Sequence, residues 1–481
     1  MRWLLLACLL GCGGSSGTDG GVTDAPGPGD VDADPGGGGW DPADFATVYE
    51  VGPDQPLADP CEVPWESLAP STLVRIHWRA EPYPCKWVIN TEATADAPLV
   101  VTGVPDQGRL PQITGDGAVA RLELNYWNEE RSVIKIGGSN LPDDQRVPSY
   151  VFVEALDIGH AHPAYSFTDE AGNPSTYASN AAAIHIEVGD HITVRGCTLH
   201  DAGNGLFAGS GSSSVVISGN WVHDNGIEDS IYEHNSYTES LGITFEYNHY
   251  GPLRAACLGN NLKDRSAGTV IRYNWIESGN RQLDLVESGD AAFVGDASYR
   301  STFVYGNILV EPDGAGNSQI VHYGGDGGDT GNYRKGTLYF HGNTVVSTRA
   351  GNTTLVRLST GEESADLRNN IVAATAEALG ISDGSGAVLL RDNWLQQGWV
   401  PTHGTLTGTV DEQDSLTGAD PGFTDAAGQD YALASGSACI GAAGPLAAGA
   451  SAHPLTRQYV VHQGGTARPD DGDPDIGAFE R

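Results

Sequence analysis

Val215-Val216-Ile217-Ser218-Gly219-Asn220-Trp221-Val222-His223 and Thr269-Val270-Ile271-Arg272-Tyr273-Asn274-Trp275-Ile276-Glu277 are two copies of one pattern. In each, an alternating run rich in β-branched residues ends at a polar corner, an asparagine follows, and a second short run begins. Alternation at period two marks a strand that buries one face. The asparagine stands three residues after an inward-type apolar residue. The same pair returns as Phe245/Asn248, Val304/Asn307, Phe340/Asn343, Leu367/Asn370 and Leu390/Asn393, and Val194/Cys197 fills the slot at the start of the series. From Cys197 to Asn393 the intervals are 23, 28, 26, 33, 36, 27 and 23 residues. A unit that repeats every ~20–35 residues and cannot bury its apolar face alone is a solenoid coil. No helical stripe is sustained, so the coils are built of strands. Stacked asparagines satisfy one another's amide donors and acceptors, which predicts a ladder through the core, ended by Cys197 as a small buried hydrophobe.

Composition narrows the function classes. The chain has 25 basic and 62 acidic residues, a net charge of −37. That balance argues against nucleic acid as a partner, since phosphates are met by basic patches. An acidic ligand would need a local cluster of cations. No apolar run reaches the ~18 residues of a membrane-spanning helix.

Residues 1–12 read as an export signal, with Arg2, an apolar stretch from Trp3 to Leu10, and the ending Leu9-Leu10-Gly11-Cys12. That ending resembles a bacterial lipoprotein cleavage box. The resemblance implies lipidation of Cys12 and anchoring in the bacterial envelope, at the outer membrane. Residues 13–39, rich in Gly, Asp and Pro, read as a flexible acidic tether. We expect an N-terminal cap over 40–90, the solenoid over 91–400, and a C-terminal segment over 401–481 that hides the last coil's edge. Cys61 and Cys85 flank a proline-rich stretch and are candidates for a disulfide in an exported protein. The remaining Cys197, Cys257 and Cys439 are odd in number, so at least one thiol is free. The absence of C-x-x-C spacing argues against zinc. A monomer is expected.

The coil pattern resembles the right-handed parallel β-helix proteins of the pectate lyase-like superfamily, over roughly residues 85–400. Asp420-Pro421-Gly422-Phe423 with Tyr431-Ala432-Leu433, and the terminal Asp475-Ile476-Gly477-Ala478-Phe479-Glu480, look like endings of that family. The resemblance implies an all-β, right-handed parallel β-helix with caps at both ends. It does not decide function, because the scaffold hosts lyases, hydrolases and adhesins.

The densest polar stretches are Ile231–Glu239, Asn260–Arg265 and Gly279–Glu287, on successive coils. Counting thirteen residues from Asn220, Asn248 and Asn274 gives Glu233, Asn261 and Glu287. Stacked as a column, these hard oxygen donors would suit Ca²⁺. Lys263 is one of only four lysines and sits inside this acidic, aromatic cluster. Arg265, two residues on, shares its strand face. A partly desolvated lysine beside other cations loses its proton more readily and becomes a candidate base. His234 neighbours Glu233 and Tyr237 as a candidate acid or base. Arg281, Arg272 and Tyr250 are candidate substrate contacts, although Arg272 stacked on Glu246 reads more simply as a salt bridge. His200-Asp201 and His223-Asp224 stack as a second pair, suited to capping a corner or to a metal. The coils before Asn307 and Asn343 have room for loops walling a groove, Gly324–Gly331 among them.

A lysine, a nearby arginine and an Asn/Glu column look like polysaccharide lyases of the alginate lyase and chondroitinase B type. The resemblance implies an acidic, uronate-containing polysaccharide cleaved by β-elimination. It would place Ca²⁺ on Glu233, Asn261 and Glu287, the base at Lys263 and the assisting acid at Arg265 or Tyr237. The family's Arg-His-Gly segment has no counterpart here, where the chain reads Leu283-Asp284-Leu285-Val286-Glu287. Two alternatives stay open. A glycoside hydrolase would use paired carboxylates such as Asp284 with Glu287, or Glu239 with Asp264. A non-enzymatic carbohydrate-binding or adhesive β-helix would stack aromatics such as Tyr232, Tyr237, Tyr247, Tyr250 and Trp275 on sugar rings.

Overall fold

The computed structural model describes residues 39–125, 127–139 and 146–481. Cys12, the export signal and all of the expected tether except Gly39 lie outside them. The protein is an all-β parallel β-helix. After each corner the chain enters an 11-stranded parallel sheet that starts at Gln112–Thr114 and ends at Leu416–Gly418. The strands before the corners and those of the opposite wall join a 23-stranded sheet, also largely parallel. The apolar residues three before each corner, from Val194 to Leu390, are fully buried and stack into one continuous core.

The asparagine ladder is present as expected. The Nδ2 of Asn220 donates to Oδ1 of Asn248 at 3.0 Å, and the pattern continues through Asn274, Asn307, Asn343 and Asn370 to Asn393 at 2.9–3.1 Å. Each Oδ1 also accepts the backbone N–H of the asparagine one coil earlier, and Asn220 serves Cys197 in this way at 2.9 Å. The residue before every ladder position has left-handed backbone, from Gly196, Gly219, Tyr247 and Tyr273 to Gly306, Gly342, Asn369 and Asp392. A tyrosine in that conformation costs roughly 1 kcal/mol. Stacking of Tyr247 on Tyr273, with centroids 5.6 Å apart, offsets part of it.

Both expected boundaries shift. The parallel ladder begins at Thr47–Val51, which pairs with Thr72–His77, so residues 40–90 already contain coil strands rather than only a cap. The prolines there sit between the strands and hide them from a pattern reading. Cys61 and Cys85 form a disulfide across this region. At the other end, Thr409–Gln413 and Leu416–Gly418 extend the coils past residue 400. The segment from Asp420 onward is not an end plug. It runs back along the 11-stranded sheet, where Tyr431, Tyr459 and Ala478 cover Trp275, Ile308, Val310 and Val346, and Leu433, Cys439 and Ile476 cover Ile371, Ala373 and Trp394.

Histidines fasten this strap. His462 stacks on His249 at 4.0 Å and meets Trp275 edge-on, and its Nδ1 faces the Tyr459 hydroxyl at 3.2 Å. His453 stacks on Phe303 at 3.7 Å. Burial, then the neighbouring His462 and His223, holds His249 down to about 3, and burial lowers His462 and His453 as well. The Trp275 indole that meets His462 donates to the Glu277 carboxylate at 3.4 Å. A histidine depressed in the folded state stabilises it above the unfolded pKa of about 6.5 and loses that contribution as pH falls. Limited proteolysis should therefore release the C-terminal segment as pH drops from about 7 to about 4. His249→Phe should move that release to lower pH, and an unchanged midpoint would count against the histidine clamp.

Candidate functional site

A row of side chains crosses one wall of the coil, set by strand register. Tyr237 pairs with Lys263, Lys263 with Asp284, Asp284 with His322, and His322 with Arg357. Parallel in-register strands place these residues as direct neighbours on one face. Phe207 precedes Tyr237 in the row, ring centroids 5.3 Å apart.

Asp284 is the hub. It is 1% exposed. Its Oδ2 accepts from Lys263 Nζ at 2.9 Å and from Asn260 Nδ2 at 2.8 Å, and its Oδ1 meets His322 Nδ1 at 2.8 Å. Burial pushes its pKa up, but the bonds and charges of His322, Lys263 and Arg281 overcome this and hold the carboxyl well below the usual range. Asp284 is therefore ionised and accepts only.

Lys263 does not have the neighbours expected of a base. Its ammonium lies between two carboxylates, Asp284 and, at 2.6 Å, Asp326. Burial alone would lower its pKa; Asp284 and Asp326 together raise it above the ordinary lysine value. An amine held this way keeps its proton, which corrects the assignment of Lys263 as base. Arg265 does share the face, with Nη2 3.6 Å from Asp326 Oδ1 and its guanidinium 5.6 Å from the Tyr237 ring centre. The half-exposed Asp326 carboxylate thus occupies an anion position between Lys263 and Arg265. Asp326 belongs to the Gly324–Gly331 loop, which Glu287 anchors by accepting from the backbone N–H groups of Asp326 and Gly327 at 2.8 and 2.6 Å.

The calcium column does not assemble. Ser236 pairs with Leu262, so Asn261 stands beside Asn235 rather than Glu233. Asn261 is fully buried in a second amide ladder: Asn225 donates to Asn235 and Asn235 to Asn261, each at 2.9 Å, and Asn261 Nδ2 donates to the carbonyls of Gly251 and Glu277. Glu287 spends both oxygens on the loop, and of the three column residues Glu233 alone keeps a buried oxygen without a partner. Ca²⁺ requires about six to eight oxygen ligands, so these residues do not fit the ion. Among the described residues one metal-like grouping occurs, Asp59 with Cys61 and Cys85, but the two sulfurs are joined in the disulfide.

Other expected residues also move to structural roles. His234 is 1% exposed, its Nδ1 accepts the Asn260 backbone N–H at 2.9 Å, and burial followed by the Lys263 charge pushes it down to about 3. It is a neutral buttress for the Tyr237 ring rather than an acid or base. Tyr250 is buried, with its hydroxyl 3.0 Å from Ser236 Oγ, and cannot stack on a sugar. Arg272 binds Glu246 through two nitrogens at 2.9 and 2.7 Å, the salt bridge its register suggested. Arg281 holds Gln319 Oε1 and stands 3.8 Å from Asp284, at the edge of the row. Asp264 is sealed against Arg334, which removes it from any hydrolytic pair. His200 and His223 stack as expected, 5.5 Å apart, each bound to aspartate. The sequence does not single out His322 or Ser359, and it marks Asp326 only as part of the Gly324–Gly331 loop. Only coil register brings them in, and the insertions before Asn307 and Asn343 hide that register from a count.

No protein-family model matches the sequence, and no curated protein matches it. Among solved structures, pectate lyase Pel9A superposes with a TM-score of 0.51 at 10% identity, over 91% of this chain and 97% of that one. An alginate lyase from Paenibacillus sp. str. FPU-7 matches at 0.46 and 12% identity, over 66% and 94% of the two chains. A GH136 lacto-N-biosidase from Eubacterium ramulus matches at 0.47 and 11%, over 77% and 67%. At such identity the likeness concerns the fold alone. By that fold, the chain is a parallel β-helix protein with the architecture of pectate lyase Pel9A.

Proposed function

We propose that this protein is a polysaccharide lyase acting on an acidic, uronate-containing chain, exported and tethered to the bacterial envelope through Cys12. The observation that carries the reading is the anion position between Lys263 and Arg265, filled by Asp326 from a glycine-rich loop. In a chain with 62 acidic and 25 basic residues, a site that gathers Lys263, Arg265 and Arg281 along one face suits a ligand carboxylate. A uronate carboxylate taking the place of Asp326 would be neutralised by two fixed cations. Neutralisation acidifies the C5 proton and stabilises the enolate-like intermediate. The C5 proton passes by way of the Tyr237 oxygen, beside Arg265 and half-buried in the row, to the glycosidic oxygen that leaves as its bond to C4 breaks. Lys263 acts as a held cation.

The test is near-ultraviolet absorbance of unsaturated product from a panel of uronate polysaccharides. Tyr237→Phe and Arg265→Ala should each reduce it on the order of 10²–10⁴-fold. Product formation unaffected by both would sink the assignment.

A further inference from the structure

One end of the row carries chemistry that elimination does not use. His322 Nδ1 lies 2.8 Å from Asp284 Oδ1, and its Nε2 lies 2.8 Å from Ser359 Oγ. Aspartate, imidazole and hydroxyl are thus in one line on neighbouring coils, brought together from positions 38 and 37 residues apart. We propose that Ser359, His322 and Asp284 form a nucleophile–base–orienter triad that hydrolyses O-acyl esters carried by a saccharide bound along this face. The ester's carrier rests on the polysaccharide reading above; the triad itself does not.

The tautomer follows from the hub. Asp284, fixed as an anion by Lys263 and Asn260, can only accept, so Nδ1 is the ring nitrogen of His322 that donates to it. Nε2 is left to face the Ser359 hydroxyl at 2.8 Å, the arrangement that activates a serine. His322 is 3% exposed, so the base is held dry and in one orientation, while Ser359 is half-buried and reachable. The backbone of Gly325 holds Oγ, its N–H donating at 3.0 Å and its carbonyl accepting at 2.9 Å, so the hydroxyl hydrogen is shared between that carbonyl and His322 Nε2, and its turn toward Nε2 is part of the activation. Glycine at 324 is required for this approach. Its φ is +133°, and a Cβ there would stand 2.7 Å from both Cβ and Oγ of Ser359.

The chemistry balances with water as the only co-reactant. Ser359 Oγ bonds to the acyl carbon as its proton passes to His322 Nε2. The bond from acyl carbon to sugar oxygen breaks, and that oxygen takes the proton from Nε2. Water then attacks the acyl-serine, gives its proton to Nε2, and the carboxylic acid leaves as Oγ regains its hydrogen.

Three readouts on the full folded chain test this. The first is hydrolysis of an aryl acetate; the second is acetate release from an acetylated uronate polysaccharide; the third is labelling by a fluorophosphonate, located by peptide mass spectrometry. Wild type should turn over both esters and carry the label on Ser359. Ser359→Ala and His322→Gln should each lower ester turnover by about 10³-fold or more. Labelling uses the unaltered protein, so a variant that fails to fold does not remove the test. No ester turnover and no label, or a label elsewhere, would overturn the proposal. Ester turnover that persists in Ser359→Ala would overturn it too. Acetate release without unsaturated product would leave the triad standing and remove the lyase reading. Unsaturated product without acetate release or label would do the reverse.

Discussion

Arg334→Met is expected to destabilise the protein by about 3–5 kcal/mol, the range for breaking a buried ion pair by removing one partner. Arg334 and Asp264 are both fully buried, and Arg334 uses its donors almost completely. Nε donates to the Val286 carbonyl at 3.0 Å, Nη1 to the Ser266 carbonyl at 3.0 Å and Thr302 Oγ1 at 3.3 Å, and Nη2 to the Asp264 carbonyl and carboxylate at 3.0 and 3.1 Å. Asp264 also accepts from Thr238 and Thr269 at 2.8 and 2.7 Å. Methionine removes the only cation paired with the Asp264 carboxylate, which keeps just its two threonine donors, and takes one donor each from the Val286, Ser266 and Asp264 carbonyls. The damage should reach the site, because Arg334 closes the loop that carries Asp326 and Asp264 lies between Lys263 and Arg265. Adding Asp264→Leu removes the stranded charge and should recover part of the loss. Urea unfolding followed by circular dichroism measures both variants. A loss below about 1 kcal/mol in the single variant would show that the network is not the anchor we describe.

The fold was legible because its signal is repetitive and local. Each corner combines an inward apolar residue, a left-handed position filled by Gly, Tyr, Asn or Asp, and an asparagine, and all three are visible in sequence. The site was legible only in part. Lys263, Arg265 and Tyr237 were found because they are rare or clustered. Their roles were not, because roles depend on what lies one coil away. Lys263 looked like a lysine among cations; the residues that touch it are Asp284 and Asp326, 21 and 63 positions on. Asn261 looked like a metal ligand because a second amide ladder, at irregular spacing, cannot be told from a polar surface by counting. The count set Glu233 beside Asn261, two residues away from its true neighbour Asn235, which exchanges a carboxylate for an amide on the same column. His322 and Ser359 carried no sequence cue, since each is an ordinary polar residue until register aligns it with Asp284.

The second large effect should come from the ladder itself. Asn274→Ala is expected to cost on the order of 4 kcal/mol, because buried polar groups left unpaired cost about 1–3 kcal/mol each. Asn274 Oδ1 accepts both the backbone N–H and the Nδ2 of Asn248, at 3.0 and 2.9 Å. Its Nδ2 donates to the carbonyls of Phe245 and Arg272 and to Asn307 Oδ1, at 3.0, 2.9 and 2.9 Å. Alanine takes the acceptor from the Asn248 backbone N–H and a donor from the Phe245 carbonyl. Water is kept from them by the fully buried Ile217, Phe245, Ile271 and Val304. Asn274→Asp should be worse, since a carboxylate cannot donate and would face Asn307 Oδ1 and two carbonyls. Cys197→Ala is the comparison. It empties the last slot of the same ladder, leaves the backbone N–H of residue 197 on Asn220, and should cost only the buried sulfur, about 1 kcal/mol. If ladder bonding holds the coils in register, urea unfolding should separate Asn274→Ala from Cys197→Ala by several-fold in free energy. Equal losses would mean that apolar stacking alone carries the solenoid and that the asparagines only fill space.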